Sequence, residues 1–154
     1  MSARYYISYG SNMNVEKMKV RTPDAVILGK SVLKGWRLQF RYGANIIEAS
    51  GAETPAVIWS ISEQDERNLD DYEGFPDFYI KRDMNIPVTS LDGGDLGEFT
   101  AMVYIMTDEA VKAKSVNPVP PDYYYSVIDE AYGTFGFDKG ILIEALEEAK
   151  SLKR

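Results

Sequence analysis

Between Arg4 and Met106 the chain reads as one β-prone run after another, while helical periods gather beyond Pro121. "RYYISY" is a strand, stopped by Gly10-Ser11-Asn12. Ala25 to Tyr42 is β-prone throughout, with Gly29 and Gly35 as bends or bulges. "ANIIEAS" and "PAVIWSI" read as two strands joined by a polar turn. "FYIKRDMNIPV" and "EFTAMVYIM" flank Asp92-Gly93-Gly94-Asp95, a hairpin signal. Helices interrupt this series twice. "NVEKMKVR" is a short one that Asn12 or Asn14 can cap, with Pro23 beyond it. "SEQDERNLDDYEG" starts with Ser62 and Asp65 as a cap and ends at Gly74. "VNPVPPD" is an extended connector, and two helices follow, from about Tyr123 to Tyr132 and from Asp138 to Leu152. Strands first and helices grouped at the end predict an α+β fold with a mixed, mostly antiparallel sheet. The repeated glycines suit a curled or barrel-like sheet. No repeat or linker divides the chain, and 154 residues are enough for one core, so a single domain over 1–154 is expected.

Composition narrows the chemistry. The chain has no histidine and no cysteine. That excludes a Ser-His-Asp triad and a thiolate nucleophile, and leaves a zinc site with carboxylates alone. Proton transfer falls to Glu, Asp, Lys or Tyr, and a carboxylate with a tuned pKa is the expected catalyst. The formal net charge of −7 argues against sequence-independent nucleic-acid binding and serves solubility first. No apolar run is long enough to span a bilayer, and "MSARYY" lacks a signal peptide's pattern, so a cytoplasmic protein with no membrane partner is expected.

Three stretches can carry chemistry. In "LDDYEG", Leu69 and Glu73 share a helical face, and Leu69 should face the core. An inward Glu73 at the helix C-terminus would have a raised pKa and serve as acid and base near neutrality; the other reading is an exposed acid at a helix end. In "YGSNM", the backbone N–H groups of Gly10, Ser11 and Asn12 leave a strand without ladder partners. They form either an ordinary capped turn or a site for a carboxylate or oxyanion. "PVPPDYYYS" places Tyr123, Tyr124 and Tyr125 after a rigid connector, as packing rings or as hydroxyls for a site. "DGGDLGE" lacks the spacing of a calcium loop and reads as a solvated hairpin.

These pieces in this order resemble the γ-glutamyl cyclotransferase superfamily, including its AIG2-like members. The likeness rests on "YGSNM", "GKSVLKGWRLQF", "PAVIWSI", "LDDYEG", Tyr79 soon after it, "AMVYIM" and "PVPPDYYYSVIDEAYGTFGF", and covers nearly the whole chain. The resemblance implies a compact mixed β-barrel flanked by helices, with a cavity at one end and no cofactor. It implies that Tyr9, Gly10, Ser11, Asn12 and Met13 bind a γ-glutamyl group, that Glu73 is the acid/base, and that Tyr79 and Tyr124 line the pocket. A one-residue shift would substitute Tyr123 or Tyr125 for Tyr124. The implied substrate is a small γ-glutamyl compound whose own α-amine attacks its γ-carbonyl, releasing 5-oxoproline and an amine. Such a reaction needs no enzymic nucleophile, which agrees with the missing His and Cys. The acidic balance of the chain leans towards a cationic leaving group. Two rivals stand beside this reading: a non-catalytic binding module on the same fold, and a hydrolase using Ser11 with Lys17 as base.

Overall fold

A computed structural model describes residues 4–153 of the chain. Its strands are β1 (Arg4–Ser8), β2 (Val26–Arg41), β3 (Gly43–Ile61), β4 (Tyr79–Thr89) and β5 (Asp95–Met106). They close a barrel in the order β1-β3-β2-β4-β5. Every pairing is antiparallel except β1 with β5, which meet in parallel at Tyr6 and Met102. The helices are α1 (Val15–Arg21), α2 (Glu63–Glu73), α3 (Asp108–Lys114), α4 (Asp122–Phe135) and α5 (Lys139–Leu152). The α+β class and the mixed, curled sheet are therefore as the sequence predicts. Among the described residues no helix is long and apolar enough to cross a membrane.

Glycines shape the barrel where the sequence places bends. β2 shifts register against β3 between Ile27 and Gly29 and again between Lys34 and Trp36. At Gly29 a Cβ would lie 2.2 Å from the carbonyl oxygen of Thr89. Only a residue without a side chain lets β2 approach β4 there, and this contact (Lys30 opposite Thr89) closes the barrel. "ANIIEAS" and "PAVIWSI" are not two strands joined by a turn. They are one continuous strand, β3, because the polar stretch between them bulges instead of reversing: the register passes from Trp36–Glu48 to Lys34–Glu53, so residues 49–52 stand opposite Gly35 alone.

The α2 caps match expectation. Ser62 accepts from the Asp65 N–H, Asp65 accepts in return from the Ser62 N–H, and Gly74 closes the helix at φ +71°. Asn14, not Asn12, caps α1. No element is expected from the sequence between Met106 and Val116, where the structure has α3, capped by Thr107. Thr107 followed by Asp108 and Glu109 is a helix-start signal, but seven residues are too few to show an apolar period. α4 runs past Tyr132 to Phe135 and packs on the turn after β1, while α5 lies along β2. Ile7, Phe40, Ile46, Ile58, Met102, Ile128 and Leu142 are fully buried beneath these helices and within the barrel. The ends of β1 and α2 and the starts of β4 and α4 converge at one end of the barrel.

Candidate active site

Where β1 ends, the chain leaves the sheet at Gly10 and makes a 3₁₀ turn over Ser11–Met13. The Met13 and Asn14 N–H groups bond back to the Gly10 and Ser11 carbonyls, each at 3.0 Å. Among the described residues none accepts from the N–H of Gly10, Ser11 or Asn12. All three residues line a pocket, together with Tyr9 and Glu73. A Cβ on Gly10 would stand 3.0 Å from the Ala44 Cβ, so any side chain there would press on β3.

Glu73 enters the same pocket from the last turn of α2. Leu69, one turn earlier, is completely buried, as the shared helical face requires. Burial raises the Glu73 pKa to about 7, and the Arg21 guanidinium pulls the other way. The residue as a whole keeps some exposure, but its carboxyl faces buried tyrosines and loses most of its water. Arg21 is held in place: it donates to Asn12 Oδ1 at 2.6 Å and Ser11 Oγ at 3.3 Å, and its guanidinium lies 3.8 Å over the Tyr72 ring. Nothing in the sequence singles out Arg21, since only the folding of α1 back over the turn brings it here.

Tyrosines make the rest of the wall. Tyr79 donates to the Ala44 carbonyl at 2.7 Å, and Tyr124 accepts from the Ala44 N–H at 3.0 Å, so the two clamp one residue of β3. Tyr9 donates to the Tyr104 carbonyl at 2.7 Å. Tyr6 accepts from Asn12 Nδ2 at 3.0 Å. Burial pushes the pKa of all four hydroxyls, Tyr6, Tyr9, Tyr79 and Tyr124, well above the usual range, so they stay neutral. Tyr6 and Tyr124 act as acceptors in these bonds, which leaves their protons to donate into the pocket. Tyr6 sits in the strand before the turn, and its alternation with Ser8 on one face of β1 is the signal that could have found it.

Of the three consecutive tyrosines, Tyr124 alone lines this pocket. Tyr123 is 74% exposed, and Tyr125 packs against Phe40 with ring centroids 5.9 Å apart. The structure separates Met13 from its neighbours: its side chain is fully buried in the hydrophobic core, outside the pocket lining, because the turn on which it sits packs against α4. Ser11 Oγ meets the Tyr72 hydroxyl at 3.1 Å and Arg21, while Lys17 is exposed on α1. Among the described residues no lysine hydrogen-bonds to Ser11, so the Ser11–Lys17 pair has no geometric basis. The arrangement that results is a carboxyl titrating near neutrality beside N–H donors unpaired among the described residues and neutral hydroxyls. It can move a proton and stabilise an oxyanion in one small space.

The family model described as "Gamma-glutamyl cyclotransferase, AIG2-like" matches residues 6–125. A curated gamma-glutamylcyclotransferase of Bos taurus is 30% identical over 128 residues, covering 75% of this chain and 63% of the relative. The chain thus spans less than two thirds of that relative's length. A solved gamma-glutamyl cyclotransferase superimposes with a TM-score of 0.68 at 22% identity, covering 97% of this chain and 87% of the other. A yeast gamma-glutamyl cyclotransferase specific to glutathione does so with a TM-score of 0.65 at 12% identity, covering 100% and 98%. At these identities the two structures speak for the fold.

Proposed function

Because this chain belongs to the gamma-glutamyl cyclotransferase, AIG2-like family, we propose that it cyclises a γ-glutamyl amide, releasing 5-oxoproline and the free amine. The observation that carries the proposal is Glu73, a carboxyl raised to about 7 beside three backbone N–H donors. In this reading the glutamyl end of the substrate lies against Gly10, Ser11 and Asn12. Glu73 takes a proton from the α-ammonium, and the freed amine attacks the γ-carbonyl of the same molecule. Proximity is then supplied by holding one bound conformer. The carbonyl oxygen becomes an oxyanion, which the turn N–H groups and the hydroxyls of Tyr6 or Tyr124 can stabilise. On collapse the C–N bond of the amide breaks and Glu73 returns its proton to the leaving nitrogen; the ring nitrogen, which still carries two hydrogens, gives one up through Glu73 to the released amine, so that a neutral lactam and an ammonium remain. The substrate supplies the nucleophile, so no serine, thiol or cofactor of the protein enters the bond changes. Arg21 holds Ser11 and Asn12 in position and keeps Glu73 from titrating higher still.

A panel of γ-glutamyl amides incubated with the protein tests this, with products read by mass spectrometry. The expected product is 5-oxoproline, and Glu73→Gln should lose turnover by several orders of magnitude while keeping its fold by circular dichroism. Free glutamate in place of 5-oxoproline would mean hydrolysis. Near-normal turnover in the Gln variant would remove Glu73 from the mechanism.

A further inference from the structure

The pocket at the 3₁₀ turn borders a second cavity, and the two share Glu73, Tyr79 and Tyr124. Their chemistry differs. The first is ringed by hydroxyls and N–H groups. The second is walled by Tyr42, Phe78, Met106 and Ala110, with Lys114 as its cation. Lys114 ends α3, and its ammonium lies 5.2 Å from the Tyr42 ring centroid and 5.8 Å from that of Phe78. Among the described residues it forms no ion pair. Among the same residues, Glu73 is the one acid lining either cavity.

Tyr42 adds an independent sign that this wall is built for contact. It is the single residue between β2 and β3, and its φ is +65°. Glycine or asparagine adopts that conformation with little strain, whereas a bulky aromatic side chain does not. The chain nevertheless carries a tyrosine there, fixed by its N–H bond to the Pro118 carbonyl at 2.8 Å. The "VNPVPPD" connector thus props up one wall of the cavity.

We propose that this second cavity is the leaving-group subsite: it takes γ-glutamyl amides whose released amine carries a bulky apolar or aromatic side chain and a carboxylate, and Lys114 binds that carboxylate. The assignment rests on the cyclisation reading. If the glutamyl end lies against the 3₁₀ turn and the scissile bond beside Glu73, the amine's substituent must leave past Glu73, and this cavity is the space on that side. The overall negative charge of the chain would favour a cationic leaving group, but local charge decides. At ordinary ionic strength the screening length is about 8–10 Å, so a lysine within the cavity outweighs acids spread over the distant surface. A second cation in the cavity would meet Lys114 with repulsion and find only Glu73, which the reaction itself needs. The aromatic rings offer area for a ring or branched aliphatic chain to bury.

The test compares γ-glutamyl-phenylalanine with the γ-glutamyl amides of phenethylamine, which lacks only the carboxylate, and of a short diamine. Wild type should prefer the first by about three- to tenfold in kcat/KM, the range of a partly exposed charge pair. The preference should lie mainly in KM, since the contact is made equally in ground and transition states. Lys114→Met should erase it, Lys114→Arg should retain it, and Lys114→Glu should turn it towards the diamine. If the amides cyclise with no preference, or if Lys114→Met keeps the full preference, the subsite assignment is wrong and the cyclisation reading stands. If no amide yields 5-oxoproline, both fall together.

Discussion

Glu73 is the carboxyl to which the proposed chemistry is assigned, and its protonation has a thermodynamic consequence. Its pKa in the fold is about 7, against an ordinary value of 4.5. The native state therefore holds this proton over a pH range in which the unfolded chain releases it. Protonated Glu73 fits its buried surroundings, so its stabilising contribution is complete below about 4.5 and is lost as pH rises through about 7. The loss is on the order of 3 kcal/mol, at 1.36 kcal/mol per pKa unit. Glu73→Gln has no such loss. Urea unfolding of both proteins at about pH 5 and about pH 8 should show the variant gaining on wild type by roughly that amount at the higher pH, the expected cost of keeping a tuned carboxylate in a buried site. Parallel pH dependences would contradict the placement of the carboxyl. The sequence made Glu73 legible because Leu69 fixed its helical face and Gly74 fixed the helix end. It could not show Arg21, which opposes the shift, because nothing local to "KVR" distinguishes a guanidinium that stacks on Tyr72 from one in solvent.

At the level of elements, local rules served where the determinants are local. The capping box of α2, the left-handed Gly74 and the β4–β5 hairpin all follow from residues within a few positions of one another. They failed at β3, where a polar stretch resembles a turn but is held as a bulge by pairing with β2. They also failed at α3, too short to display a period. Gly29 stands between the two cases: its position suggests a bulge, but its necessity comes from Thr89, far along the chain on β4. Gly29→Ala should destabilise the fold by about 2–3 kcal/mol, because the added methyl meets a backbone oxygen that can move only by opening the β2–β4 seam. Chemical denaturation measures this directly. The same substitution at Gly35, where a Cβ would meet nothing within 4 Å, should act through its positive φ alone and cost less. Equal costs at the two sites would argue that the seam yields easily.

The whole molecule places α2 by long-range polar contacts. Arg4 on β1 pairs with Glu66 at 3.1 Å, Lys81 on β4 reaches Glu66 at 2.7 Å and Asp70 at 3.1 Å, and Tyr104 on β5 donates to Asp70 at 2.5 Å. Burial alone would raise the Glu66 pKa, but the bonds from Lys81 and Arg4 bring it below its ordinary value. Three strands thus grip the helix that carries Glu73, and the turn after β1 faces it across the pocket. This assembly is what the sequence leaves hidden, since each contact joins residues far apart in the chain. What the resemblance to a known family added was the pairing of "YGSN" with "EG" as parts of one site, an association that spacing alone does not carry. The most direct measurement is the pH dependence of kcat/KM for 5-oxoproline release from a γ-glutamyl amino acid. A carboxylate base at Glu73 acting on a substrate ammonium predicts a bell, rising through about pH 7 and falling where the free substrate's α-ammonium loses its proton. A profile already flat from about pH 5 upwards would mean that the essential base is an ordinary carboxylate, and would contradict the role of buried Glu73 as the acid/base.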